Sequence, residues 1–112
     1  MYNLIFEIIN STLAQKASGK FILSNGLKIC WGICSTDNVN GYIRQKYITF
    51  PITYTSAPTV IATKLVSNSS IECAATVGVG TTTTTQTVVK AMNEGSILAD
   101  TNIKINWIAI GY

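Results

Sequence analysis

KFILSNGLKICWGIC, residues 20–34, contains the pattern that decides the fold. At its centre, Asn25-Gly26 is the strongest short-range signal for a β-hairpin, because both residues accept a positive φ. After the turn, large apolar side chains alternate with small or polar ones, and one face carries Leu27, Ile29, Trp31 and Ile33. The stretch therefore predicts two paired antiparallel strands, near 20–23 and 27–35, with one apolar face.

Further strands are predicted along the rest of the chain. KYITFPITY, residues 46–54, alternates apolar and polar side chains, and Pro51 in it should lie at a sheet edge or a bulge because proline cannot donate a ladder hydrogen bond. The segments 59–66, 71–79 and 103–112 read as strands, as does the stretch from Gln86 that follows the turn GTTTTT. STDNVNG, residues 35–41, has the composition of an exposed loop.

Composition supports the same fold class. Fifteen threonines, sixteen isoleucines and seven valines make about a third of the chain β-branched, and such residues favour strands. Short strands separated by turns every eight to twelve residues are typical of a sandwich or barrel. We therefore predict an all-β domain over residues 17–112, an antiparallel β-sandwich of six to seven strands.

The N-terminal segment 1–16 has a different pattern. Its apolar residues recur at steps of three and four, which predicts one face of a helix: Leu4, Ile5, Ile8, Ile9 and Leu13. A helix this short is unstable alone in water, so the segment is interpreted as a stalk-like leader that associates with other copies. An extended strand or a disordered leader is the alternative.

Charge is scarce and scattered. Only 12% of the 112 residues are charged while 47% are hydrophobic, which suggests that another chain covers part of the apolar surface. The net charge of +3 is spread thinly, with only Arg44 and Lys46 close together, so we expect no nucleic-acid partner. No apolar run approaches the length of a membrane span, and the N-terminal residues lack the basic start and small-residue cleavage site of a signal peptide. We therefore expect folding in a cytosol and no membrane insertion.

The residues that usually carry catalysis are missing. The chain has no histidine, and its five acidic residues are isolated in sequence. Cys30 and Cys34 are about 13 Å apart on a regular strand, so they cannot form a disulfide bond within it. Both cysteines, and Cys73, are interpreted as packing residues because no histidine is present to activate a thiol. We therefore expect neither an enzyme nor a metal or cofactor site.

Three stretches together carry a family resemblance. SGKFILSNGLKICWG resembles the hairpin that opens the C-terminal domains of bacteriophage tail fibres, with Asn25, Gly26 and the closing Trp31-Gly32 in place. ITFPITYTSAPTVIAT is similar to their Phe-Pro and Pro-Val strands, and NWIAIGY to their last strand. The last two stretches also resemble H-type lectins, but the chain lacks histidine, and it lacks tryptophan over 80–94, so lectin specificity is not carried over.

The resemblance implies a homotrimeric fibre tip that binds a receptor on the bacterial surface, a glycan or a protein, as part of a virion made in the host cytoplasm. A domain that only trimerises and caps the fibre is one alternative, and a stand-alone H-type-like lectin is another. Trimerisation is also predicted from IKINWIAIGY, in which both faces become apolar over the last residues. The predicted subunit interface comprises Ile108, Ile110 and Tyr112.

Receptor contact is expected on loops, because a rigid scaffold usually presents recognition residues there. One stretch combines hydrogen-bonding groups with an aromatic ring, the mixture that a sugar needs. The candidate ligand-binding residues are Asp37, Asn38, Asn40, Tyr42 and Arg44, with Asn68, Asn93 and Glu94 as second choices.

Overall fold

A computed structural model describes residues 18–38, 43–65, 76–92 and 103–112. These residues form eight strands, so the two-residue β3 adds to the predicted six to seven. The strands are β1 (Gly19–Ile22), β2 (Lys28–Ser35), β3 (Asp37–Asn38), β4 (Ile43–Thr49), β5 (Thr59–Leu65), β6 (Thr76–Val79), β7 (Gln86–Met92) and β8 (Lys104–Gly111). The predicted leader, residues 1–16, lies outside the described residues.

The strands form two four-stranded sheets, and every described pairing is antiparallel. Sheet A has the order β1-β2-β8-β5 and sheet B the order β3-β4-β7-β6. The predicted all-β, antiparallel fold is therefore confirmed. Strand β8 lies inside sheet A, paired with β2 on one side and β5 on the other, as the apolar character of its sequence indicated.

The hairpin between β1 and β2 has the predicted turn. Gly26 has a φ of 93°, a conformation that only glycine adopts without strain. The Leu23 amide donates to the Leu27 carbonyl over 2.8 Å, and the Leu27 amide donates to the Asn25 Oδ1 atom over 3.0 Å. The side chain of Asn25 and the flexibility of Gly26 thus set the register of the first two strands.

One apolar core joins the two sheets. Sheet A contributes Cys30, Ile105, Trp107 and Ala109, while sheet B contributes Ile48, Val89 and Ala91. In β8 the buried side chains alternate with less buried ones, as the sequence pattern predicted. The two sheets therefore pack face to face, which confirms the sandwich.

The region around Pro51 differs from the prediction. Strand β4 ends at Thr49, before the proline, so the predicted strand 46–54 is too long at its C-terminal end. The alternation in burial nevertheless continues, because Phe50, Ile52 and Tyr54 are buried and the residues between them are exposed. The amides of Phe50 and Tyr54 donate to carbonyls of the turn before β7, at Thr85 and Thr84. Pro51, which has no amide hydrogen, lies just beyond the ladder.

Two other predicted boundaries also change. The predicted loop 35–41 begins inside regular structure: Ser35 ends β2, Thr36 is buried, and β3 follows directly. The Thr36 Oγ1 atom accepts a hydrogen bond from the Ile103 amide over 3.0 Å, which fixes the side chain in this buried position. The local sequence does not reveal this partner, because Ile103 is distant along the chain. The described part of the predicted strand 71–79 is β6, in which Val77 packs on the core and Val79 is exposed at the sheet edge.

The topology divides the sandwich into two ends. At the first, called the loop end, β2, β5 and β8 meet at Ser35, Leu65 and Lys104 in sheet A, and β4, β6 and β7 meet at Ile43, Thr76 and Met92 in sheet B. At the opposite end, called the turn end, lie the β1–β2 turn, the segment 50–58, the turn 80–85 and Tyr112.

Candidate functional site

The loop end is where the predicted recognition segments are attached. The segments 39–42, 66–75 and 93–102 connect strand termini that all lie at this end. Asn40, Tyr42, Asn68, Asn93 and Glu94 belong to these segments, and all five lie outside the described residues. Their roles remain predictions. The structure does establish that segments far apart in sequence leave the same end of the domain.

Asp37 and Asn38 lie in β3 at this end. The Asp37 carboxylate is exposed and forms an ion pair with the Lys46 Nζ atom over 3.2 Å. Lys46 was not among the predicted site residues; its position two residues after Arg44 on the same strand face is the signal that could have identified it. In the register of sheet B, Asn38 lies opposite Arg44.

The thiol of Cys34 lies close to this ion pair. Burial raises its pKa. The positive charge of Lys46 lowers this pKa and the negative charge of Asp37 raises it, both to a smaller extent than burial does. The pKa of Cys30 is also raised by burial, while its hydrogen bond to Tyr54 acts in the opposite direction. Raised pKa values keep both thiols protonated near neutral pH, which agrees with their interpretation as packing residues.

Arg44 differs from the other described candidates because it is buried. It lies in β4 rather than on an exposed loop, and only 1% of its surface is exposed. Its Nε and Nη2 atoms are buried without a hydrogen-bond partner in the described structure. These two nitrogens form the edge of a guanidinium that pairs side-on with a carboxylate. A ligand would reach Arg44 only by entering the sandwich.

The predicted interface residues lie on the outer face of sheet A. Ile108 and Ile110 are half-buried in the single chain, and the Tyr112 side chain is exposed. Their neighbours Ile105, Trp107 and Ala109 face the core instead. The predicted division of this strand into a core face and an outer apolar face is therefore present in the fold, and what covers the outer face remains a prediction.

An open groove of about 490 Å³ lies at the edge of sheet A. It is lined by two residues of the segment after β4, Pro51 and Ile52, and by three of β1: Lys20, Phe21 and Ile22. The groove is therefore separate from the loop end. It combines an aromatic ring with one ammonium group, but none of the predicted ligand-binding residues lines it.

Two kinds of site are absent from the part of the chain that the structure describes. No group of three or more acidic or cysteine side chains there is arranged to hold a metal ion. Within the same ranges, there is no helix of the length and apolar character needed to cross a membrane.

Solved structures of similar fold support the sandwich assignment. The chain matches the R1 pyocin fiber of P. aeruginosa with a TM-score of 0.67 and 24% identity over 88% of its length. An N-truncated R1-type pyocin tail fiber matches with the same TM-score and identity over 88% of this chain, and the match covers 82% of that fiber chain. A P. aeruginosa R2 pyocin fiber matches with a TM-score of 0.62 and 22% identity. At these identities the likeness concerns the fold alone.

The chain spans only part of the first of these structures, covering 27% of it. No curated protein sequence matches it. A family profile, however, matches residues 22–112, which is most of the chain and nearly all of the sandwich. That profile describes the C-terminal region of tail fiber proteins of the gp53-like type, so the chain belongs to the gp53-like tail fibre C-terminal domain family.

Proposed function

We propose that this domain is the receptor-binding part of a phage or phage-like tail fibre, and that it acts outside the host cell as a homotrimer. The observation that carries the proposal is that the strand ends flanking the segments 39–42, 66–75 and 93–102 all lie at the loop end. Recognition needs several variable segments held side by side by a rigid scaffold. Membership of a tail fibre family supplies the setting, and the matched pyocin structures are themselves fibers.

The proposed receptor is a glycan on the bacterial surface. The segments at the loop end supply amide groups and an aromatic ring, at Asn40, Asn68, Asn93 and Tyr42. Amides match the hydroxyl groups of a sugar by hydrogen bonding, and an aromatic ring packs against its apolar face. The exposed Asp37–Lys46 pair adds charged groups at the same end of the described domain. The proposal assigns no catalytic step to the domain.

The proposal is tested by binding of the fluorescently labelled protein to a panel of bacterial strains and to a glycan array. Wild-type protein should bind at least one strain saturably. The loop-end variant N40A/Y42A/N68A/N93A should bind at least tenfold more weakly while keeping its β-sheet circular dichroism. Arg44 is left unchanged in this variant, because truncating a buried side chain to alanine would leave a cavity in the fold.

The matched control changes four exposed residues at the turn end, in the variant S24A/T53A/S56A/T81A. It should bind cells as the wild type does. If the loop-end variant and the control both bind like the wild type, the loop end is not the receptor site. If the wild type binds no strain and no glycan, the domain is better described as a trimerising cap of the fibre.

A further inference from the structure

We infer that the groove at the edge of sheet A is a second binding site of the domain, and that its ligand is an acidic sugar, a pyranose ring that carries a carboxylate or phosphate group. The groove has a volume of about 490 Å³, within the range of roughly 300 to 1,000 Å³ that is usual for small-molecule sites. It is separate from the loop end, so it is not the receptor site proposed above. The inference rests on the proposed function only in taking a sugar as the carrier of the anionic group.

The first wall of the groove is the core-facing side of the edge strand β1. In the register of sheet A, Lys20 lies opposite Cys30 and Ile22 lies opposite Lys28, and side chains directly opposite each other share a face of the sheet. Cys30 belongs to the core, so Lys20 and Ile22 are on the core-facing side. Both are nevertheless exposed, and Ile22 is 56% exposed. Sheet B therefore leaves this side of the edge strand open.

The opposite wall is the segment after β4, in which Pro51 is exposed and Ile52 is buried. Hydrogen bonds fix this wall on both sides, because the amides of Phe50 and Tyr54 donate to carbonyls of the turn before β7 over 2.8 and 2.9 Å. The groove is thus formed by a strand of the sheet and by a segment bonded to its neighbours. A preformed wall reduces the entropy that is lost when a ligand orders its site.

The charge of the groove favours an anionic ligand. Lys20 lines it, and among the described residues this ammonium group has no ion-pair partner. Lys28 brings a second ammonium group to the same region, since its Nζ atom donates to the Thr53 carbonyl over 2.8 Å. The acidic side chain in the described ranges is that of Asp37, which is paired with Lys46 at the loop end. An anion in the groove would therefore meet positive charge without a competing carboxylate from the described residues.

The rest of the lining favours a sugar ring over a free inorganic anion. Apart from Lys20, the groove is lined by the apolar residues Phe21, Ile22, Pro51 and Ile52. An inorganic anion would gain nothing from these side chains, whereas the C–H groups on the face of a pyranose ring pack against them. Ligand sites commonly combine such apolar walls with a few polar groups that fix the orientation of the ligand. In this groove, the ammonium group of Lys20 would hold the carboxylate or phosphate.

The test is NMR of the full chain with labelled isoleucine methyl groups, titrated separately with glucuronate, glucose 6-phosphate, glucose and inorganic phosphate. At least one of the two charged sugars should shift the methyl signals of Ile22 and Ile52 saturably, and comparison of the two shows which anionic group the groove prefers. Glucose and inorganic phosphate should bind at least about tenfold more weakly, because each lacks one half of the interaction.

Three variants test the roles of the lining residues. K20Q should weaken binding of the charged sugar at least about tenfold, because it removes the ammonium group. The matched control is K90Q, which changes an exposed lysine on the outer face of sheet B and should bind as the wild type does. I22T keeps a β-branched side chain, removes part of the apolar wall and should also weaken binding. Circular dichroism checks the fold of each variant.

The inference is overturned if neither charged sugar shifts the two signals, if glucose or inorganic phosphate binds as tightly as the charged sugars, or if K20Q binds like the wild type. Signals that shift with protein concentration and not with sugar would also overturn it, since another copy of the chain would then occupy the groove. The loop-end variant N40A/Y42A/N68A/N93A retains every lining residue and should respond to the charged sugar as the wild type does. Failure of the groove and failure of the proposed function can therefore be told apart.

Discussion

The phenol of Tyr54 donates a hydrogen bond to the main-chain carbonyl of Ala109 over 3.0 Å, which ties the segment after β4 to the central strand β8. The Cys30 Sγ atom lies 3.3 Å from the same phenol oxygen. The Tyr54 ring also packs edge-on against Phe50, with centroids 5.4 Å apart. One side chain thus joins three parts of the core.

We expect Tyr54→Phe to lower the free energy of unfolding by about 1 to 2 kcal/mol, because it removes the hydroxyl and keeps the ring. The measurement is urea denaturation followed by circular dichroism. Tyr47→Phe is the matched control, since Tyr47 is exposed on sheet B, and it should change the stability by less than about 0.5 kcal/mol. Equal stability of the Tyr54→Phe variant and the wild type would show that the hydrogen bond to Ala109 contributes little to the free energy of unfolding.

Alkaline pH should destabilise the domain through the same residue. Burial raises the pKa of Tyr54, and its contact with Cys30 raises it further. In the unfolded chain the phenol loses its proton near pH 10, whereas in the folded chain it keeps the proton. The unfolded state then binds fewer protons, so stability falls as the pH rises above about 10. Below that pH this residue contributes no pH dependence.

The measurement for this prediction is the unfolding free energy from pH 7 to 11.5. Tyr54→Phe should make the decline above pH 10 shallower by up to about 1.4 kcal/mol per pH unit. An identical decline in the variant and the wild type would assign the alkaline instability to other groups.

For Arg44 we predict a substitution that does not lower the stability of the domain. The Nε and Nη2 atoms of this buried guanidinium have no hydrogen-bond partner among the described residues, so it should contribute little to stability. An apolar side chain of similar length should therefore replace it without loss. We expect Arg44→Met to unfold at the wild-type temperature or higher. Arg44→Ala should instead lose about 2 kcal/mol or more, because it leaves a cavity. If Arg44→Met is as unstable as Arg44→Ala, the guanidinium has an acceptor in the assembled protein.

Deletion of Gly111 and Tyr112 should destabilise the sandwich of the single chain. The Tyr112 carbonyl accepts hydrogen bonds from the Thr55 amide over 2.7 Å and from its hydroxyl over 3.0 Å. We expect the deletion to lower the free energy of unfolding by about 1 to 3 kcal/mol, since two hydrogen bonds and the packing of Gly111 on Pro58 are lost. Thermal unfolding of the isolated chain is the measurement.

Tyr112→Phe is the control for this deletion, because it keeps the main-chain carbonyl and the ring and removes only the hydroxyl group of an exposed side chain. It should unfold within about 0.5 kcal/mol of the wild type. A truncated chain as stable as this variant would show that the contacts with Thr55 do not support the fold.

The fold class and most strand positions could be predicted from the sequence, because both depend on local properties. A turn that needs positive φ marks the first hairpin at Asn25-Gly26, and the period-two pattern of β8 separates its core face from its outer face. The central position of β8 could also be predicted, since a strand with apolar side chains on both faces belongs in the buried middle of a sheet rather than at its exposed edge.

Features that depend on residues far apart in the chain became visible only in the folded domain. The burial of Thr36 results from its bond to Ile103, and the burial of Arg44 from the packing of the two sheets. The meeting of distant strand ends at the loop end likewise arises from strand order and register. Local patterns do not specify these, because the backbone pairings that bring the residues together are long-range.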